Sequence, residues 1–197
     1  MVSRLHLGCG PEVKDGWINI DGYGDRHGSR GGTQRLVWDL TLGLPRVDFF
    51  GDPIDGVDYI YSCHFFEHLR DDDAIRLIRD CRDVLVVGGV FRVALPDFRS
   101  LAEAYVREDW SFLDLLDWDE FSNAAWRTYI DAITYGVYQD HANPFERHQS
   151  IWDVKKALAV LNHCGFTGAC LTPYDDSIDP AIEVRRRHTF VCCAVKE

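Results

Sequence analysis

Three short apolar runs near the start of the chain each end in glycine or aspartate, and this pattern constrains the fold most. The runs begin at residues 4, 17 and 36 and end in Gly8-Cys9-Gly10, Asp21 and Asp39. Short runs of this kind are typical of parallel strands that are buried on both faces. Because the carboxyl ends of parallel strands meet at one edge of a sheet, we expect these end residues to form a ligand site.

Later segments continue an alternation of strands and helices. Strands are predicted at 57–61, 90–95, 168–172 and 188–195, and apolar residues at helical spacing predict a helix that begins near the acidic residues 71–73. Such alternation indicates an α/β fold with an open, mainly parallel sheet that is covered on both faces.

Residues from about 100 to 145 break this alternation. The stretch is acidic and rich in aromatic residues, among them Trp110, Trp118 and Trp126. We interpret it as a helical lid inserted into one domain that spans 1–197, since 197 residues is a normal length for a single globular domain. The aromatic residues fit either a cage for the substrate or simple packing of the lid on the body.

Composition argues against several classes of partner. The formal net charge is −11 and the isoelectric point is near 5.1, which disfavours nucleic acid or an anionic membrane. No apolar run reaches the roughly 18 residues that cross a bilayer, and no signal-peptide pattern precedes the first strand, so we expect a cytoplasmic protein. The seven cysteines form no C-x-x-C pair and are interpreted as reduced and buried.

The predicted strand ends suit a nucleoside. Glycines after a buried strand let the backbone pass close to a ligand and can offer N–H groups to a carboxylate or phosphate. A carboxylate at Asp21 is suited to both hydroxyls of a ribose, and one at Asp39 is suited to an adenine amino group. Each feature alone also fits an ordinary turn or loop cap. Together the three strand ends predict a nucleoside pocket.

Six blocks follow one another along the chain at 5–11, 16–21, 38–40, 58–69, 84–90 with 96–97, and 163–166. In these blocks the sequence resembles the small class I S-adenosylmethionine-dependent methyltransferases of the type 11 kind. The resemblance implies a Rossmann-like, doubly wound, mainly parallel seven-stranded sheet with an antiparallel last strand and a helical lid insertion. It also implies S-adenosyl-L-methionine as the cofactor.

The resemblance assigns contacts with the cofactor to the strand ends. It implies contacts to the methionine part at Gly8-Cys9-Gly10, to the ribose at Asp21, to the adenine at Asp39-Leu40 and to the sulfonium at Ser62-Cys63-His64.

Three departures from the family pattern bear on the site. Glu12 stands where many relatives have a third glycine, and Val87 replaces the usual proline before two glycines. Only ten residues separate Gly10 from Asp21, so the first helix is expected to be very short or missing. Because the first strand begins almost at the start of the chain, the lid is expected to come from the insertion.

We expect transfer of a methyl group to an oxygen or nitrogen of a small molecule, such as a sugar or secondary metabolite, by in-line displacement. His64 is the first candidate base because an imidazole titrates near neutral pH, although a role in shaping the cofactor site fits equally well. His141 and His148, at the end of the lid, are further candidates. The methyl acceptor is the expected partner, and the oligomeric state is left open, with a homodimer as one option.

Three other functions remain as alternatives. His64-Phe65-Phe66-Glu67-His68 also matches the H-x-x-E-H pattern of inverted zinc peptidases, but we prefer a role for Glu67 and His68 in orienting the turn or the cofactor and expect no metal. An NAD-dependent oxidoreductase would show G-x-G-x-x-G and an acid about 20 residues further on, and the spacing here differs. A non-catalytic nucleoside-binding module would share the strand-end residues without an acceptor cavity.

Overall fold

The structure is a computed structural model that describes residues 3–22, 35–110, 128–138, 147–179 and 187–197. Its strands are β1 (Ser3–Leu7), β2 (Ile18–Asp21), β3 (Arg35–Val37), β4 (Val57–Cys63), β5 (Leu85–Pro96), β6 (Thr167–Leu171) and β7 (Thr189–Val195). Its helices are α1 (Asp71–Val84), α2 (Phe98–Arg107), α3 (Tyr129–Tyr138) and α4 (Val154–His163). Short 3-10 helices, Leu40–Leu42 and Phe66–His68, follow β3 and β4.

These strands join one sheet in the order β3-β2-β1-β4-β5-β7-β6. Neighbouring strands are parallel from β3 to β5, whereas β7 runs antiparallel to both β5 and β6. The predicted mainly parallel, seven-stranded, Rossmann-like sheet with an antiparallel last strand is therefore confirmed. The strand order reverses direction between β1 and β4, which is where open α/β sheets bind their ligands.

Helices α1 and α4 cover one face of the sheet. Leu77 of α1 and Leu161 of α4 are buried in the same cluster as Leu5, Ile60 and Phe91 of the strands. On α1 the buried residues recur every three or four positions, which gives the helix one apolar stripe, and its first turn is acidic, as the helix dipole favours.

Loops cover the opposite face over β1 and β4. Trp17 from the β1–β2 connection and Ile178 from the segment after β6 pack with Tyr59 and Tyr61 on this side. The expectation of a very short or missing first helix is met, because the ten residues from Gly8 to Trp17 contain no helix. A parallel crossover that includes a helix takes about a dozen residues or more, so this connection has no room for one.

The side chain of Asn19 holds the short connection in place. It is fully buried on β2, and its Oδ1 accepts a hydrogen bond from the N–H of Lys14 at 2.8 Å. Its Nδ2 donates to the carbonyl oxygens of Lys14 and Trp17, at 2.9 and 3.1 Å. Buried backbone groups need such partners, so one amide supplies bonds that the turns of a helix would otherwise make.

The described part of the chain between β5 and α4 contains the helices α2 and α3, and residues 147–153 form a loop before α4. Asp97 caps α2 by accepting from the N–H of Arg99 at 3.1 Å, and α2 and α3 pack against each other. Residues 111–127 and 139–146 lie outside the described ranges. The role of this insertion as a lid, and the assignment of 1–197 to one domain, stay predictions. None of the described helices combines the length and the apolar character that a membrane crossing requires.

Candidate functional site

Backbone N–H groups tie the turn after β1 to the end of β2. Those of Gly8 and Cys9 donate to the carbonyl oxygen of Ile20, at 2.9 and 3.3 Å. The N–H of Gly10 donates to Asp21 Oδ2 at 2.8 Å. The expectation that these three groups are offered to a ligand is therefore wrong, because they bond within the protein and hold the turn. What the turn can offer a ligand is a close approach to its backbone.

The two glycines of this turn differ in their surroundings. Gly8 has φ +60°, and a β-carbon there would lie 2.2 Å from Cγ of the Phe65 side chain. Gly10 has φ +50°, and a β-carbon there would meet nothing within 4 Å. Both backbone conformations favour glycine. Gly8 is required for packing as well, whereas Gly10 borders open space that a ligand can enter.

Asp21 ends β2 with only 8% of its surface exposed. The Cys9 thiol lies close to its carboxylate, and the Arg35 guanidinium lies close to the thiol. Burial and the charge of Asp21 raise the pKa of Cys9 to about 12, an effect that Arg35 partly offsets. The thiol is therefore protonated at neutral pH. A carboxylate has about four acceptor positions, and one oxygen of Asp21 accepts the bond from the N–H of Gly10.

Asp39 and Leu40 follow β3 in a capped turn. Asp39 is exposed, and its Oδ1 accepts from the N–H of Thr41 at 2.9 Å and from the Thr41 hydroxyl at 2.7 Å. This is the loop-capping role that the sequence left open for an aspartate here. The side chain of Leu40 is 3% exposed and belongs to the main core, so only its backbone is placed to meet a ligand.

The end of β4 carries Ser62, Cys63 and His64. The first two are 0% and 7% exposed, and they pair in the sheet with Val93 and Ala94 of β5. His64 has φ +49°, which is uncommon for a residue other than glycine, and its N–H donates to the carbonyl oxygen of Ala94 at 3.0 Å. Such outliers cluster at functional sites, where the surrounding structure holds them.

The His64 imidazole has a hydroxyl on one side and a carboxylate on the other. Its Nε2 lies 2.6 Å from Thr189 Oγ1, and its Nδ1 lies 3.6 Å from Glu67 Oε1. The carboxylate favours a proton on Nδ1, so the lone pair falls on Nε2 and faces the Thr189 hydroxyl. His64 is thus arranged to accept a hydrogen bond from a hydroxyl at this edge of the sheet.

Glu67 also approaches a second predicted catalytic histidine. Its carboxylate is 1% exposed, and Oε1 lies 4.0 Å from Nε2 of the buried His148. Nδ1 of His148 lies 3.1 Å from the carbonyl oxygen of Val137, which can only accept, so Nδ1 donates this bond. The third candidate, His141, lies outside the described residues.

The H-x-x-E-H pattern does not lie on one α-helix. His64 occupies the turn after β4, and only Phe66–His68 forms a short 3-10 helix. The ring of His68 packs edge-on against His148, with ring centroids 4.9 Å apart, while His64 faces Thr189. The inverted zinc-peptidase arrangement, with both histidines on successive turns of one helix, is therefore not formed.

Three residues at this edge went unnoticed in the sequence. Phe65 packs on Gly8, Arg35 lies beside Cys9, and Thr189 contacts His64. Phe65 lies inside the block 58–69, directly after His64. Its place in the turn after the predicted fourth strand could have suggested a position at this edge of the sheet. Arg35 and Thr189 come from the starts of β3 and β7, and no local pattern marks them.

Comparisons with known proteins identify the fold. No family model and no curated protein matches the chain. Among solved structures, a SAM-dependent methyltransferase from Archaeoglobus fulgidus has a TM-score of 0.54 and 13% identity, over 99% of this chain and 86% of that one. A SAM-dependent methyltransferase from Thermotoga maritima, described as a possible histamine N-methyltransferase, has a TM-score of 0.55 and 12% identity, over 100% and 83% of the two chains.

A third structure, described as PigF with SAH, has a TM-score of 0.52 and 12% identity, over 100% of this chain and 50% of that one. Identities this low establish the architecture alone. The seven-stranded, mainly parallel sheet with the antiparallel β7 matches a Rossmann-like methyltransferase fold. The chain has the fold of the class I S-adenosylmethionine-dependent methyltransferases.

Proposed function

We propose that this protein is a methyltransferase that uses S-adenosyl-L-methionine and methylates an oxygen or nitrogen of a small molecule. The observation that carries the proposal is the pairing of Asp21 with the Gly10 turn at the switch point of a methyltransferase fold. The structural neighbours, two described as SAM-dependent methyltransferases and one as a complex with SAH, support the choice of cofactor.

The residues at this edge fit an adenosyl cofactor. Gly10 leaves open space beside the backbone, and Asp21 presents a nearly buried carboxylate next to it. In the proposal, Gly8, Cys9 and Gly10 border the methionine part, and Asp21 binds the ribose hydroxyls. Asp39 and the backbone of Leu40 meet the adenine, while the end of β4 from Ser62 to His64 borders the reacting sulfur.

The chemistry of the cofactor reduces what the protein must do. When bound, it supplies a methyl group on a sulfonium, which is already a good leaving group. The protein then contributes by holding the acceptor in line with the methyl group and by excluding water. In the proposal the insertion that contains α2 and α3 closes over this space as a lid, and a small neutral or cationic acceptor suits the acidic chain.

For a hydroxyl acceptor, His64 accepts the proton. Thr189 Oγ1 lies 2.6 Å from His64 Nε2, and in the proposal the acceptor hydroxyl replaces this contact and passes its proton to that nitrogen. The Glu67 carboxylate near Nδ1 stabilises the imidazolium that results. His141 and His148 remain proposed second choices for this role. An amine that is already neutral needs no base.

Calorimetric titration with S-adenosylhomocysteine tests the cofactor. We expect micromolar or tighter binding, with no heat from NAD under the same conditions. Asp21→Ala should weaken binding at least about tenfold, roughly 1.4 kcal/mol, because the ribose loses its acceptor. Asp55→Ala, which removes an exposed acid from another loop, is the matched control and should bind like the parent.

Circular dichroism of each variant shows whether it remains folded. Asp39→Ala is expected to weaken binding less than Asp21→Ala, since the Asp39 carboxylate is exposed and already bonded to Thr41. The proposal fails if S-adenosylhomocysteine gives no heat at millimolar concentration. The ribose assignment fails if the folded Asp21→Ala protein binds within about twofold of the parent, or roughly 0.4 kcal/mol.

A further inference from the structure

Glu67, His68 and His148 bring one carboxylate and two imidazoles together beside the proposed active site. The ligand atoms that these three side chains offer all lie within 4.8 Å of one another. Glu67 is 1% exposed and His148 is 9% exposed, so most of the cluster is buried. The proposed methyl transfer uses Glu67 beside His64 and keeps His148 as a second-choice base, but it assigns no task to His68.

Backbone carbonyl groups orient both imidazoles. Nδ1 of His148 lies 3.1 Å from the carbonyl oxygen of Val137, and Nδ1 of His68 lies 3.4 Å from that of Arg147. Because a carbonyl oxygen only accepts, each Nδ1 carries the proton, and the lone pair of each neutral ring is on Nε2. Histidines that bind metals are held in this way, with the second ring nitrogen donating to a carbonyl or carboxylate.

The spacing of the ligand atoms suits a metal ion bound between the side chains better than a direct hydrogen bond between them. Nε2 of His148 and Oε1 of Glu67 are 4.0 Å apart, which is too far for a hydrogen bond. Two ligand atoms bound at about 2.0–2.1 Å to one tetrahedral zinc ion are about 3.3 Å apart. A side-chain adjustment of less than about 1 Å would bring this pair to that separation.

The ligand types select the class of ion. Two imidazole nitrogens and one carboxylate suit Zn²⁺ and similar divalent transition metals, whereas Ca²⁺ and Mg²⁺ prefer oxygen ligands alone. With neutral imidazoles the cluster carries the negative charge of Glu67, and burying that charge beside a divalent cation is less costly than burying it without one.

We propose that Glu67, His68 and His148 bind one divalent transition-metal ion of the zinc class. This ligand set differs from that of the H-x-x-E-H pattern, in which the two histidines bind the metal and the glutamate is the base. Here His148 takes the place of His64, and Glu67 is itself a ligand. Three protein ligands leave a further coordination position for water or another oxygen donor. The inference does not depend on methyl transfer.

The ion would link two segments that are far apart in the sequence. Glu67 and His68 lie in the 3-10 helix after β4, and His148 lies where the chain returns from the insertion. Hydrogen bonds already join these segments, since the Glu67 carbonyl oxygen accepts from the N–H groups of Gln149 and Ser150 at 2.7 and 3.1 Å. A metal ion would add a much stronger link at the base of the insertion.

The test is metal binding by chelator-treated protein without an affinity tag. Calorimetric titration with Zn²⁺ should show one ion per chain with micromolar or tighter affinity, and Zn²⁺ should raise the melting temperature. Co²⁺ should bind at the same site and develop visible absorption from nitrogen and oxygen ligands, without the intense near-ultraviolet bands of a thiolate.

Two variants remove one ligand each. His68→Ala and His148→Ala should each weaken Zn²⁺ binding at least about tenfold and abolish the cobalt spectrum. His68 is only half-buried, so His68→Ala provides the result if the His148 variant does not fold.

Two further variants are matched controls. His163→Ala removes an exposed histidine on α4 that lies 2.9 Å from Arg79, and Cys170→Ser removes an exposed thiol. Both should bind Zn²⁺ like the parent. The proposal is overturned if the parent binds no Zn²⁺, if His68→Ala binds as tightly as the parent, or if binding is lost only in Cys170→Ser.

Discussion

The ring of Phe65 occupies the space that a β-carbon on Gly8 would need, with Cγ only 2.2 Å from that position. The contact joins the turn after β1 to the turn after β4, the two strands that flank the switch point of the sheet. Any side chain at position 8 would have to displace a ring that itself packs edge-on against the buried Phe66, at a centroid distance of 5.4 Å.

Gly8→Ala is therefore expected to lower the free energy of unfolding by about 3 kcal/mol. Roughly 1–2 kcal/mol would come from the left-handed backbone and the rest from overpacking against Phe65. Gly10→Ala, at a similar φ but beside open space, should lose only about 1–2 kcal/mol. Urea unfolding measures both, and the packing argument fails if the two variants are equally stable.

His64→Ala is expected to lower kcat for a hydroxyl acceptor by about 10²–10⁴, the usual contribution of a general base. Affinity for S-adenosylhomocysteine should stay within about twofold, since the backbone of the β4 end is retained. Turnover is measured as S-adenosylhomocysteine release with panels of small hydroxyl and amine compounds, and His163→Ala is the control. Full turnover of the His64 variant on a hydroxyl acceptor would remove it from the mechanism.

Arg92 and Asp179 form a buried ion pair on the loop-covered face of the sheet, with Arg92 Nε 3.1 Å from Asp179 Oδ1. Asp179→Ala should cost about 3–5 kcal/mol of unfolding free energy, because it leaves the guanidinium buried without its carboxylate. Glu103→Ala, which breaks the exposed pair with Arg99, should cost at most about 1 kcal/mol. Denaturant midpoints compare the two, and similar losses would contradict the burial argument.

Acid is expected to destabilise the fold from about pH 6.5 downwards. Burial, and then the charge of Lys14, lower the pKa of His6 to about 3, while burial and Arg187 lower that of His188 to about 4. The unfolded chain binds protons at these histidines near pH 6.5 but the folded chain does not, so stability is lost as the pH falls. At pH 5 the loss from His6 alone should be about 2 kcal/mol.

His6→Gln tests the origin of this pH dependence. The substitution removes the titrating imidazole, whose Nδ1 lies 3.3 Å from Asn19 Oδ1. Whatever the stability of the variant at pH 7, its loss of unfolding free energy between pH 7 and pH 5 should be smaller than that of the parent. His163→Gln on the surface should leave that change as in the parent. An unchanged pH dependence in the His6 variant would show that other groups are responsible.

The strands and the strand-end positions of the candidate site residues could be predicted because both depend on local patterns. Apolar runs define the strands, and residues that directly follow them must lie at the carboxyl edge of a parallel sheet, as Gly8 and Asp21 do. Local patterns did not predict the hydrogen-bond partners of the backbone N–H groups in the Gly8-Cys9-Gly10 turn. Their acceptors, the Ile20 carbonyl and the Asp21 carboxylate, come from the next strand, and no motif in the turn specifies them.

The order of apolar runs and strand-end residues along the chain was sufficient to predict the sheet, the absence of a first helix and the position of Asp21 at a strand end. Each of these features follows from the spacing of residues that are close in sequence. Only the tertiary structure decided what surrounds the histidines. Thr189 lies 125 positions from His64, and the turn that holds Glu67 meets His148 across the whole insertion. Contacts over such separations depend on how the sheet and the insertion pack, and a linear pattern carries no record of that packing.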